Sequence, residues 1–388
     1  MVVIGAGAAG LMCAQVAGYR GRRVLVIDHA NKAGKKILMS GGGRCNFTNL
    51  NTTPAHFYSA NPHFCISALK RYTPQDFLEL VERHGIDHCE KAPGQLFCVN
   101  SSRDILDMLL TECDWAGVSI RLETEVTDLQ QQQGRWELRA NGQPVSCQSV
   151  VVATGGLSIP TLGASGFGYQ VAEQFSLKVQ PVRAALVPFT LHPPDKAWLS
   201  PLSGVSCDVA VSVRGHSFTE PMLITHRGLS GPAMLQISTF WEAGDALSIN
   251  LLPHETALAD TLRRLRDQRP QSQLVSFLNE RLPRRLAQAL VAQFGWQGEL
   301  QGFTNARLAA LADALQAWQL KPAGTEGYRT AEVTLGGVDT NAISSRTFEV
   351  SSVPGLYMIG EVLDVTGQLG GYNFQWAWAS GFCAGQAV

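Results

Sequence analysis

The run Gly5-Ala6-Gly7-Ala8-Ala9-Gly10 restricts this chain more than any other feature, because it lies between an apolar strand pattern at 1–4 and a helical pattern at 8–19. In G-x-G-x-x-G the first glycine permits a tight turn, the second lets the backbone approach a pyrophosphate, and the third lets helix and strand pack closely. The first helical turn, with Ala8 and Ala9, then offers unpaired N–H groups and a partial positive charge to a phosphate. A second strand pattern at 23–28 ends in Asp28, where a carboxylate can accept hydrogen bonds from a ribose. A buried Ala/Gly-rich helix would explain the glycines but not the acid. The opening therefore predicts a βαβ unit of the dinucleotide-binding type.

Three further glycine-containing segments favour FAD over NAD. Ser40-Gly41-Gly42-Gly43-Arg44-Cys45-Asn46 supplies three successive glycines, which let the backbone run along a flat ligand, and an arginine that can balance phosphate charge. Ala153-Thr154-Gly155-Gly156, after an apolar strand, is a second turn of close approach. Near the end of the chain, 356–361 reads as a buried strand closing on Gly360 and Glu361, the position that holds the ribityl and pyrophosphate region in FAD domains. An NAD-only domain has no need of a second ligand-facing strand so late in the sequence. Gly370-Gly371-Tyr372-Asn373-Phe374 then opens a last helix, whose N-terminus could stabilise negative charge on a reduced flavin. Trp376 and Trp378 read as core residues of that helix.

The chain has 388 residues, enough for two domains, and only 16% of them are charged against 45% apolar, so much of it must be interior. A formal net charge of −1 argues against a nucleic-acid partner, which would call for a broad basic surface. Nine cysteines without a C-x-x-C pair or metal-ligand spacing imply reduced thiols, no metal site and a cytoplasmic location. The uncharged stretch 1–19 could pass for the apolar part of a signal peptide. No Lys or Arg precedes it, however, and its glycines fit the dinucleotide pattern. No other stretch is apolar enough to span a bilayer, so no membrane association is expected.

Helical patterns at 74–84 and 103–116 and strand patterns at 119–126, 135–140 and 149–153 continue the α/β character. From about 186 short alternating strands appear at 206–213, 217–224 and 246–252. Between 254 and 320 the period becomes helical, with runs at 257–265, 274–282, 285–294 and 306–318; a strand pattern comes next, at 329–335. The fold expected is α/β, a split Rossmann-type FAD domain (1–185 and 326–388). Inserted in it are a β-rich domain (186–253 and 321–345, approximately) and a helical subdomain (254–320).

The segments 37–49, 225–232, 333–338 and 360–377 together resemble the BaiN/YhiN-type NAD(P)/FAD-dependent oxidoreductases, also described as aminoacetone-oxidase-like flavoproteins. The resemblance runs nearly end to end and in order. It implies a glutathione-reductase-type FAD domain and carries FAD contacts over to Gly5, Gly7, Gly10, Asp28, Arg44, Asn46, Val126 (through its backbone, near the adenine), Gly155, Glu361 and Asn373. Asp28 stands where relatives usually have Glu, which shortens the ribose contact. Both ends of the sequence read as trimmed by a few residues.

The function expected is an FAD-dependent oxidoreductase moving a hydride through a non-covalent flavin to or from a small-molecule substrate. No second G-x-G-x-x-G comes after a strand, and Gly163-Ala-Ser-Gly166-Phe-Gly168 does not fit, so NAD(P)H would act as a transient reductant at the flavin. His226, in Thr-His-Arg-Gly-Leu-Ser-Gly-Pro, is the catalytic candidate, although the segment also carries a helix-start signal. Cys45 lacks a partner cysteine and reads as packing beside the glycine loop. The alternative is a non-catalytic FAD module whose arginine-rich helical insert (Arg263, Arg264, Arg266, Arg269, Arg281, Arg284 and Arg285) binds an anionic partner such as RNA.

Overall fold

Five short parallel strands organise the first part of the chain. Their order is Leu356–Met358, Val150–Val152, Val2–Ile4, Leu25–Ile27 and Ser119–Arg121, with Val3 in register with both Val26 and Val151. The first three are wholly apolar and wholly buried, as expected of parallel strands covered on both faces. In the computed structural model, which describes residues 1–132 and 134–388, the chain divides into two units, Met1–Ala184 with Val333–Val388, and Ala185–Glu332.

In the first unit the helix Ala8–Tyr19 leaves the first strand and packs along the last helix, Tyr372–Ala387. Small residues allow this. A Cβ on Gly381 would sit 2.5 Å from the Ala9 carbonyl oxygen, and one on Gly385 2.7 Å from Val16 Cβ. An antiparallel meander of Val126–Gln132, Arg135–Ala140 and Gln143–Cys147 links the edge strand to Val150–Val152. A smaller sheet sets Asn46–Asn49 and His88–Ala92 on either side of Gln95–Cys98, and Phe57–Tyr58 pairs with Thr366–Gly367.

The second unit is a seven-stranded antiparallel sheet ordered Trp318–Leu320, Leu247–Asn250, Ser206–Val213, His216–Ile224, Gly228–Ser230, Phe189–Leu191 and Pro322–Thr325. Helices Leu258–Gln268, Leu274–Asn279, Arg284–Gln293 and Asn305–Gln316 come in sequence between the strands Leu247–Asn250 and Trp318–Leu320. They share one apolar core with the sheet.

The strand expected over 119–126 is in fact two. Ser119–Arg121 joins the parallel sheet, Glu123 turns with φ +50, and Val126 starts the meander. The polar run Thr127-Asp128-Leu129-Gln130-Gln131-Gln132 lacks the apolar alternation that would mark a strand. Among the described residues no helix is long and apolar enough to cross a membrane.

Candidate functional site

The glycine turn is built as the motif requires. Gly5 has φ +114, and a Cβ there would overlap the Ala153 carbonyl oxygen; a Cβ on Gly10 would overlap that of Gly5. Gly7, by contrast, caps the first helix, and apart from its chain neighbours and its own helix backbone no atom of the described residues lies within 4 Å of where its Cβ would be. The space beside Gly7 and the N–H groups of Ala8 and Ala9 is open to a phosphate.

Asp28 does more than wait for a ribose. Its Oδ2 accepts from the Ala6 N–H at 2.7 Å and its Oδ1 from the Ala30 N–H at 2.8 Å, so the short acid clamps the glycine turn to the loop after the second strand. Each oxygen keeps a lone pair for a hydroxyl donor. Thr124 N–H donates to the Asp28 carbonyl, which brings the chain entering Val126 alongside this corner.

The late strand returns to the same place. Gly360 (φ +72) sits against the first helix, where a Cβ would be 2.9 Å from Ala9 Cβ. Its N–H donates to Ser380 Oγ and its carbonyl accepts from Trp376 Nε1. Glu361 Oε1 accepts from the Thr334 N–H and lies 3.3 Å from Ser158 Oγ, while Oε2 pairs with Lys36 Nζ. Gly155 (φ +72) faces that carboxylate, and the buried Thr154 hydroxyl has no hydrogen-bond partner among the described residues.

The loop at 40–46 turns through three left-handed glycines, with Gly42 and Gly43 facing open space. Arg44 is exposed and forms no ion pair among the described residues. Cys45 is fully buried, and burial pushes its thiol up to about 12, so only its backbone can face a ligand. Asn46 begins the strand that abuts Gly371, where a Cβ would sit 2.6 Å from the Thr48 carbonyl. Asn49 Nδ2 donates to the Gly370 carbonyl. The 40–46 loop and the N-terminus of the last helix are thereby joined.

Asn373 spends its side chain on its own turn, exchanging bonds with Gly367 and donating to the Gln368 carbonyl, so its part is to shape that N-terminus. Phe374 stacks on Trp378, and Trp376 and Trp378 are buried. His226 belongs to the second unit, on an exposed turn held by Thr225 Oγ1, which accepts from the Arg227 and Gly228 N–H groups.

Sequence reasoning missed Lys36, Ser158 and Thr334, which surround Glu361, and His56, whose ring stacks on Tyr372 at 4.4 Å. Only Lys36 carried a signal, as one of two lysines just ahead of the glycine loop. Open space at Gly7, the Asp28 corner, the Glu361 cluster and the glycine loop together fit the phosphates, ribose and extended body of FAD.

The HI0933-like protein Rossmann domain family matches residues 1–387. This chain belongs to that family. The HI0933-like chain is 53% identical to the ribosomal RNA dihydrouridine synthase of Escherichia coli K12, over 99% of its own length and 96% of that protein's. It is 48% identical to the protein of the same name from Haemophilus influenzae, over 100% and 98%. It is also 31% identical to the 3-dehydro-bile acid delta(4,6)-reductase of Clostridium scindens, again over 100% and 98%. A solved 3-ketosteroid-delta4-(5alpha)-dehydrogenase from Rhodococcus jostii shares the fold, with a TM-score of 0.51 at 15% identity, covering 99% of this chain and 96% of that one. The HI0933-like chain is thus a flavoprotein oxidoreductase with FAD as its cofactor.

One expectation is overturned. Net charge argued against a nucleic-acid partner, yet the two relatives near 50% identity are named for acting on ribosomal RNA. A formal charge of −1 is a sum over the whole surface and does not register where arginines gather.

Proposed function

We propose that this chain reduces uridine to dihydrouridine in ribosomal RNA. The observation that carries this reading is its identity of 53%, over nearly the full length of both chains, to an enzyme of that name. Chemistry supports it from the more distant relative. A 3-dehydro-bile acid delta(4,6)-reductase, as its name reads, saturates a carbon–carbon double bond conjugated with a carbonyl, and uracil C5=C6 beside C4=O is the same electronic arrangement. Hydride goes to the carbon β to the carbonyl (C6), and a proton goes to the α carbon (C5). The carbonyl oxygen bears the charge in between.

When bound, FAD supplies the hydride and is recharged by NAD(P)H. The chain's own residues hold and orient. Gly7 with the first helix receives the pyrophosphate, Asp28 the ribose, and the Gly371-capped last helix directs its N–H groups towards developing negative charge. We assign His226 to the substrate, since its exposed imidazole has no hydrogen bond among the described residues and can donate a proton or meet a phosphate. His226→Gln should change turnover or KM while FAD content stays constant.

The deciding experiment incubates the FAD-loaded protein with NADH or NADPH and unmodified ribosomal RNA transcript, then digests the RNA and measures nucleoside masses. Dihydrouridine is the expected product. A flavin that NAD(P)H reduces normally, with no dihydrouridine in the RNA, would falsify the proposal.

A further inference from the structure

We propose that a groove in the helical part of the second unit binds the phosphodiester backbone of the RNA, an inference that rests on the reading of ribosomal RNA as substrate. The groove, about 290 Å³ in volume, involves the helices Leu258–Gln268 and Leu274–Asn279 and the loop between them. Arg264, Arg269 and Arg281 line it together with Gln268, Ser272 and Ser276.

The arginines here fall into two sets. Arg263 pairs with Asp260. Arg266 pairs with Asp267 and reaches the Phe303 carbonyl and Asn305, and Arg281 pairs with Glu255 and Glu280. These are occupied within the unit. Arg264 and Arg269 are exposed and face no carboxylate among the described residues; the one side-chain bond of Arg264 is to Thr261 Oγ1 at 3.4 Å. A solvated helix face would explain either one alone. Both, however, line the same concave surface, with hydroxyl and amide donors between them, and the groove's glutamate is already engaged by Arg281. Guanidinium forks beside hydroxyl and amide donors suit phosphate oxygens.

The lining also indicates what is not read. Its one ring, Phe277, is buried, with the Arg281 guanidinium 3.8 Å from its centroid, so no aromatic face is left for a base to stack on. The groove therefore grips backbone without regard to sequence.

The test uses the full FAD-loaded chain and the double variant R264Q/R269Q, with transcribed ribosomal RNA titrated at several salt concentrations. Removing two phosphate contacts should make the dependence of log affinity on log salt shallower by about 1.5 and weaken binding roughly tenfold or more near ~0.1 M salt. Dihydrouridine formation should suffer in KM, while thermal unfolding, FAD content and flavin reduction by NAD(P)H stay as in the wild type. A variant with wild-type affinity and slope overturns the groove and leaves the RNA reading standing. A wild-type protein that neither binds ribosomal RNA nor forms dihydrouridine overturns both.

Discussion

Lys36 Nζ lies 2.8 Å from Glu361 Oε2, an ion pair between the first and last thirds of the chain, and the same ammonium is 2.6 Å from Ser158 Oγ. The pair ties the helix that leads into the glycine loop to the end of the late strand. Its two members are partly exposed, so the pair alone adds little to stability. Under the proposed placement of FAD, the pair holds a carboxylate beside the cofactor. Glu361→Ala should weaken FAD binding by roughly 1–3 kcal/mol, the cost of a lost hydrogen-bond partner. Lys36→Met should weaken it less, and the double variant should fall short of the sum, because the two side chains act through one contact. Titration of apoprotein with FAD, monitored by flavin fluorescence, measures all three; unchanged affinity in Glu361→Ala would show that the acid serves the fold alone.

Gly7 and Gly10 should fail in different ways. A side chain at Gly10 would collide with the Gly5 carbonyl, whereas a Cβ at Gly7 meets, beyond its neighbours and its own helix, no atom of the described residues within 4 Å. Gly10→Val is expected to unfold or aggregate. Gly7→Val should fold with a normal circular dichroism spectrum and emerge colourless, because the added methyls fill the space meant for pyrophosphate. A yellow Gly7→Val protein would show that the phosphates lie elsewhere.

That contrast also marks what could be read from the sequence. The first βαβ unit, the helices at 74–83, 103–115 and 284–293, and the long hairpin of 206–224 were legible because their apolar period is local. Gly5 and Gly10 were legible because steric demand at a turn leaves one residue type, and Gly7 because the motif keeps its side open to a ligand. Asn46–Asn49 and Gln95–Cys98 were not, since strands of four residues are too short to show a period and declare themselves only through a partner some 50 positions away. The cluster around Glu361 was hidden for the same reason. Ser158 and Thr334 are ordinary residues that become site residues only when the fold collects them, and Asp28 revealed its acid but not its clamp on Ala6.

Cys45 should be inert despite its place in the glycine loop. It is fully buried, and burial, only partly offset by a hydrogen bond from Ser40, holds its thiol near 12. At neutral pH almost none of it is thiolate. Iodoacetamide treatment and peptide mass mapping should show the partly exposed Cys89 labelled well before Cys45 in the folded protein. Rapid labelling of Cys45 without unfolding would reopen a redox role for it.

Glu112 should make the first unit acid-sensitive. Its carboxylate is buried on the helix Arg103–Trp115 and is met by Tyr19 Oη at 2.8 Å, His84 Nε2 at 2.6 Å and Arg83 at 3.0 Å. Burial alone would raise its pKa, but the hydrogen bonds from His84 and Tyr19 and the Arg83 charge outweigh it and hold the carboxyl below its ordinary value. In the unfolded chain the group returns to that ordinary value and takes up protons more readily. The stabilisation is therefore complete above the ordinary glutamate range and is lost as pH falls through the lower, folded value. Glu112→Gln should remove that part of the pH dependence and, by weakening the bonds to His84 and Tyr19 while Arg83 is largely solvated, cost about 1–2 kcal/mol. Urea unfolding of both proteins between neutral and acidic pH tests this, and parallel stability curves for wild type and variant across the acidic limb would rule Glu112 out as the titrating group.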